Sequence, residues 1–290
     1  MLDNIKGIVF GGADKALLHN NANKASERIP VMKNMIAGEV AKHFAKEMLP
    51  QEVYNNHTEG YIHFHDMDEN PLLPFFNCSL IDLKGMLENG FQMGNARIET
   101  PKSIQTAAAI TSQVIAQVAC CQYGGVSINR IDEVLEPYVK KSYLKHLSVG
   151  RQWFEGDEGK AVTYATEMTH KEVDDACQAL EYEVNTLFTS QGQSPFITFG
   201  FGLGTSWYAR SIQKGILKVR IKGLGKEGRT AIFPKLVYML DEGINMKQGD
   251  PNYNIKKLAI SCAAKRNYPD ALSMPKLKET GAGCTPMGKL

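Results

Sequence analysis

The chain is 290 residues long, 43% hydrophobic and 22% charged. This is the composition of an ordinary globular protein of one large or two ordinary domains, and it excludes disordered, collagen-like and disulfide-stapled classes. The 33 Lys and Arg against 31 Asp and Glu leave a formal charge of +2, so no global field argues for a nucleic-acid or membrane partner.

The six cysteines, at 78, 120, 121, 177, 262 and 284, contain no CxxC pair, and zinc-ribbon, iron–sulfur and dithiol motifs therefore have no support. The N-terminus has no secretory h-region and no apolar run approaches the ~20 residues of a membrane span. The expectation is a reduced, cytoplasmic protein with no membrane partner.

The first predicted element is a helix from Ala25 to Leu49, with Val31, Met35, Ile36, Val40 and Phe44 at helical spacing and Pro50 as its stop. Tyr61 to Asp66 alternates apolar and polar, which predicts a short strand ending in a polar loop. Phe75 to Leu80 reads as a buried extended segment. A long helix is expected after Thr100-Pro101, running to Cys121, with Pro at N1 and Glu99 near the positive end of its dipole. Further helices are expected over 132–146, 171–189, 207–221 (weakened by Gly215) and 254–266. Phe196–Gly202 predicts a strand running into a glycine-rich loop, and 231–238 a strand or buried segment containing Pro234. The polar stretch 150–169 is the expected exposed connection, and Gly281 opens a terminal loop. Strands separated by helices indicate an α/β fold.

Several clusters have both a chemical and an ordinary reading. His63, His65, Asp66 and Asp68 carry metal-ligating groups, but a polar strand end with hydrogen-bonded histidines fits better. Cys78 lies in an apolar segment, where a buried structural thiol is the usual outcome. Cys120 and Cys121 point about 100° apart on a helix and suit core packing rather than a shared ligand site, and Cys177 and Cys262 read the same way. Gly200, Gly202 and Gly204 miss the GxGxxG spacing and suggest a strand-end turn. The basic stretch Lys218 to Arg229 reads as a solvated segment. Glu99, Lys102, Thr106 and Gln113 fall at i, i+3, i+7 and i+14, on one face of the long helix, where a solvent face is the default.

Strings in order along the chain carry a more specific signal. Asn21-Ala22-Asn23-Lys24, Glu59 to Asp66, Asn77-Cys78-Ser79-Leu80, Pro195 to Gly202, Arg229 to Lys235 and Pro286-Met287-Gly288 together resemble the catalytic subunit of anaerobic (class III) ribonucleotide reductases, phage-type members most of all. The resemblance implies the N-terminal half of a ten-stranded α/β barrel with long effector-site and dimer-interface helices. It implies reduction of ribonucleoside triphosphates to deoxyribonucleotides by glycyl and thiyl radical chemistry. By position, Cys78 matches the strand cysteine that supplies reducing hydrogen. His63, Asn77 and Met287 match substrate-site residues. Glu99, Lys102, Gln113 and Lys145 match the site for a deoxynucleoside triphosphate effector. This reverses the default reading of the helix stripe.

The implied partners are a ribonucleoside triphosphate substrate, deoxynucleoside triphosphate or ATP effectors, a second copy in a homodimer, and a radical S-adenosylmethionine activase. The full enzyme of the family carries a glycyl radical and a structural zinc held by C-terminal cysteines, and many members use formate as reductant. None of these is expected on residues 1–290, and no metal ligand is assigned.

The sequence departs from the family where Pro-Met-Gly is followed by Lys289-Leu290 rather than the thiyl-forming cysteine. The expectation is one incomplete catalytic domain over 1–290. Residues 25–150 would supply the N-terminal helices, reductant strand and effector helices, and 170–290 the remaining half-barrel up to an interrupted finger loop. There would be no ATP-cone and no glycyl-radical domain. Such a part would be inactive alone and dependent on splicing or on a C-terminal partner fragment. The alternatives are a non-catalytic deoxynucleotide-binding dimerisation module and another glycyl-radical enzyme.

Overall fold

The computed structural model describes residues 1–12, 29–73, 76–122 and 124–281. Three helices, α1 (Leu2–Phe10), α2 (Ile29–Met48) and α3 (Gln51–Thr58), precede the sheet. Then follow β1 (Ser79–Leu80), α4 (Leu83–Asn89), the hairpin β2 (Phe91–Met93) and β3 (Ala96–Ile98), and α5 (Ile104–Ala119). β4 (Val126–Ile128) leads into α6 (Ile131–Trp153) and α7 (Glu158–Thr186). The chain closes with β5 (Ile197–Phe201), α8 (Trp207–Lys222), β6 (Lys235–Leu240), α9 (Tyr253–Arg266), β7 (Asp270–Ser273) and α10 (Met274–Glu279).

The main sheet is five-stranded, all parallel, in the order β1-β4-β5-β6-β7. Five parallel strands are what half of a ten-stranded barrel requires. Ile197, Phe199, Phe201, Leu236 and Tyr238 are all buried; these alternate positions share one face of the sheet and belong to one core cluster with Ile212, Ile216 and Leu217 of α8. β1 and β7 are the edges, and Leu80 on β1 is exposed. Among the described residues no helix is long and apolar enough to cross a membrane.

The helices expected around 207–221 and 254–266 and the strand at 196–202 form close to their predicted bounds. The first helix is described from Ile29 on, and Cys284 and Met287 lie outside the described residues. Other expectations are corrected. Tyr61–Asp66 is not a strand: Tyr61 is 77% exposed with no ladder beside it, Phe64 donates its amide to His57 Nδ1 at 3.0 Å, and Asp66 turns the chain at φ 57°. Alternation without a partner strand does not make a sheet. Phe76–Leu80 is extended but lies at the sheet edge, with Phe76 80% exposed.

The long helix starts at Ile104 rather than at Pro101, because Ser103 caps it by accepting the Thr106 amide at 3.2 Å. Glu99 and Lys102 therefore precede the helix and do not share its face. The expected connection 150–169 is almost entirely helical. Only residues 154–157 separate α6 from α7, and Ala161 and Ala165 are buried against Leu147. Cys121 is exposed rather than core. In the basic stretch, Arg220 is fully buried against Glu181 rather than solvated.

Candidate functional site

Cys78 sits just before β1, at the N-terminal end of the strand. Its Sγ accepts a hydrogen bond from the Gly125 amide at 3.3 Å, and its thiol lies 3.4 Å from Asn77 Oδ1. The glycines at 124 and 125, read from sequence as a helix stop, have a second purpose here. A Cβ at Gly124 would stand 1.9 Å from the Asn77 carbonyl oxygen, so only glycine lets β1 and the approach to β4 come this close. Gln122, buried to 1% exposure, bridges the two segments. It accepts from Ser79 Oγ at 2.5 Å and donates to the Gly125 and Gly124 carbonyls at 2.9 and 3.3 Å. Sequence reading missed Gln122, and its place beside two glycines was the only local signal.

His63 lies in the loop after α3. Its ring meets those of His57 and His65 at 5.7 and 5.9 Å, and His65 Nδ1 is bonded to Asp66 Oδ2. Among the described residues no group of three or more His, Cys, Asp or Glu side chains is placed to hold a metal ion. The ring neighbours of His63 are thus other histidines, whereas Asn77 is the predicted residue placed directly at Cys78.

The predicted effector residues divide into two places. The lead-in to α5 is pinned to α6: Lys141 Nζ donates to the Pro101 carbonyl at 2.8 Å and Ser142 Oγ accepts the Ile104 amide at 3.0 Å. Ser142 in turn donates to Glu172 Oε1 at 3.1 Å, His146 Nε2 lies 2.6 Å from Glu172 Oε2, and Lys145 Nζ lies 3.8 Å from Glu172 Oε1. These links bring the Lys102 turn and exposed Lys145 to the same end of the helix layer. Gln113 is also exposed but lies nine residues along α5 from Ile104, roughly 13 Å at 1.5 Å per residue.

A second polar centre lies at the C-terminal end of β5. Asp132, on the first turn of α6 and fully buried, accepts the amides of Gly202 and Gly204, both at 3.1 Å, and the Gln213 side-chain amide at 2.6 Å. Buried Asn245 and Asn252 donate to the Gly202 carbonyl, both at 3.1 Å, and Asn252 also reaches the Gly204 carbonyl at 2.8 Å. The turn expected at Gly200–Gly204 is therefore present and held from three sides. A cavity of about 730 Å³ opens at the C-terminal ends of β1 and β4, between Leu83, Arg130, Glu133 and Lys140, at the opposite end of β1 from Cys78.

The family model described as "Anaerobic ribonucleoside-triphosphate reductase" matches residues 20–288. A curated anaerobic ribonucleoside-triphosphate reductase of Escherichia coli strain K12 is 56% identical over 286 residues, covering 98% of this chain and 40% of the relative. That of enterobacteria phage T4 is 52% identical over 286 residues, covering 99% of this chain and 47% of the relative. The chain thus spans less than half the length of these relatives. Among solved structures, the Thermotoga maritima anaerobic ribonucleotide reductase with dATP bound in the specificity site aligns with a TM-score of 0.58 at 14% identity, covering 93% of this chain and 47% of that one. Its complex with dATP and CTP aligns at 0.56 and 16%, covering 83% and 41%.

Proposed function

The chain belongs to the anaerobic ribonucleoside-triphosphate reductase family, and from that membership we propose that it carries the reductant half of the catalytic barrel. In this reading Cys78 supplies reducing hydrogen as a ribonucleoside triphosphate loses its 2′ hydroxyl. The observation that carries it is the setting of the sulfur. The thiol stands at a strand end, its hydrogen is directed at Asn77 Oδ1, and the Gly125 backbone amide donates to the sulfur. A weak S–H bond held in one direction suits hydrogen donation to a carbon radical. Asn77 and His63 would orient substrate, and Met287 would join them from the finger loop.

Glu99, Lys102 and Lys145 would bind the triphosphate and sugar of a deoxynucleoside triphosphate or ATP effector, with Gln113 on the base. The pinned lead-in of α5 against α6 supports this grouping, and lysines meet phosphate as point charges. A homodimer, an activase and the rest of the barrel would complete the enzyme. The glycyl radical, structural zinc and formate of the family supply radical storage, a C-terminal structural site and reducing electrons. None of their ligands is assigned to the residues described here.

The test is anaerobic turnover of the activated enzyme containing this chain, with CTP and formate. Cys78→Ser is expected to abolish deoxynucleotide formation while nucleotide binding stays within about twofold of the parent. Retained turnover in that variant would remove Cys78 from the reaction.

A further inference from the structure

We propose that Gln122 is the positioning residue for the Cys78 sulfur. The description of Cys78 as reductant rests on the preceding reading; the way its sulfur is held does not. The Gly125 peptide is gripped on both sides. Its amide donates to Cys78 Sγ at 3.3 Å, and its carbonyl accepts from the Ser79 amide at 3.0 Å and from Gln122 Nε2 at 2.9 Å. Gln122 Oε1 then takes the Ser79 hydroxyl at 2.5 Å. One buried amide therefore ties the residue after Cys78 to the peptide that donates to its sulfur.

A primary amide both donates and accepts from one planar head. Glutamate has the same shape and accepts from Ser79, but an ionised carboxylate cannot donate to the two glycine carbonyls. Methionine fills the volume and forms neither bond. A buried polar side chain of this kind is retained at a cost unless its bonds are made, and both amide protons and the carbonyl of Gln122 are in use. Gly124 completes the device, since the Asn77 carbonyl occupies the space of a Cβ.

The experiment compares the parent chain with Gln122→Met and Gln122→Glu under anaerobic conditions. Alkylation of Cys78 by iodoacetamide is followed by peptide mass spectrometry, and hydrogen exchange of the Gly125 amide is measured alongside. Cys262 is buried and Cys177 packs between helices, so their protection reports on the fold. Losing the clamp frees the Cys78 strand end and the Gly125 peptide together, so Cys78 labelling and Gly125 exchange are each expected to speed up by about tenfold in Gln122→Met. Gln122→Glu is expected to show a smaller change. Cys177 and Cys262 stay unlabelled.

Labelling and exchange within twofold of the parent overturn the assignment, and so does a Cys78 rate that falls. Labelling of Cys177 or Cys262 in both variants also overturns it, by making Gln122 a residue of the fold alone. The readout needs no turnover, so it stands or falls separately from the Cys78→Ser assay.

Discussion

Asp132 and Gln213, both without solvent exposure, meet through a 2.6 Å bond from the Gln213 side-chain amide to Asp132 Oδ2. The same oxygen takes the amides of Gly202 and Gly204, while Asp132 Oδ1 and Gln213 Oε1 have no hydrogen-bond partner among the described residues. A buried carboxylate served only by neutral donors is an energetic burden that the fold retains at the end of β5.

The first prediction concerns the pH dependence of that burden. Burial pushes the Asp132 carboxyl up to about 6 against the pull of the two glycine amides, and the Glu133 charge adds to the rise. In the unfolded chain it titrates near 3.8. Between these values the folded state holds the proton more tightly. Its contribution is fully favourable below about 4, is lost as pH rises through about 6, and leaves a cost of about 3 kcal/mol at neutral pH. Asp132→Asn keeps an oxygen for the three donors and removes the charge. Urea unfolding at pH 7.5 is expected to show it more stable than the parent by up to ~3 kcal/mol, the difference shrinking towards pH 4. A variant less stable than the parent at pH 7.5 would mean that the bonds to the anion outweigh its burial.

Gly215 permits the packing of α8 on α7. A Cβ there would stand 2.8 Å from Cys177 Sγ and 3.4 Å from Val173 Cγ1. Gly215→Ala gains helix propensity of about 1 kcal/mol but meets the sulfur, an overpacking cost of about 1–3 kcal/mol. In the parent background the substitution is expected to destabilise. In a Cys177→Ala background the obstructing atom is gone and the same change should be neutral or stabilising. A double-mutant cycle by chemical denaturation measures the reversal, and additive effects would show that the helices simply move apart.

These two sites show which parts of the structure local sequence carries. β5, α8 and α9 were legible because periodicity and flanking glycines act within a few residues, and the family was legible through the order of several short strings along the chain. The partners of Asp132 lie 70 residues or more away, and the Ser79 hydroxyl that Gln122 accepts from lies 43 away, so local sequence alone does not place either polar side chain in the interior. Gly215 counted against a helix because the Cys177 sulfur that fills its missing side chain belongs to another element. The strand expected at Tyr61–Asp66 failed for the same physical reason: alternation is a property of one segment, whereas a strand needs two.

Arg220 and Glu181 form a buried pair between α8 and α7. Arg220 Nε donates to Glu181 Oε1 at 3.0 Å and its Nη2 to the Pro234 carbonyl at 2.6 Å. Burial raises the Glu181 carboxyl more than Arg220 lowers it, the mark of a pair whose desolvation rivals its attraction. Arg220→Met leaves a lone buried carboxylate and is expected to cost about 3–5 kcal/mol. Arg220→Met with Glu181→Met should recover most of that loss in thermal or urea unfolding. If the double variant is as unstable as the single one, the pair contributes specific structure that apolar packing does not replace.

The last prediction tests the effector reading at the α5–α6 end. Lys145 is exposed and its ammonium lies 3.8 Å from Glu172, which already holds His146 and Ser142. Removing Lys145 should leave the inner network standing. Lys145→Ala and Lys102→Ala are each expected to weaken dATP binding in calorimetry by about tenfold, the scale of a charge-assisted phosphate contact, and to change the unfolding midpoint little because exposed lysines contribute little to stability. The loss should shrink at high salt, since the missing contact is screened there in the parent as well. Gln113→Ala, two and a half turns along α5, should alter preference among bases more than overall affinity. Undiminished dATP binding in both lysine variants would place the nucleotide elsewhere, and a lowered unfolding midpoint in Lys145→Ala would show that the lysine belongs to the Glu172 network rather than to the ligand.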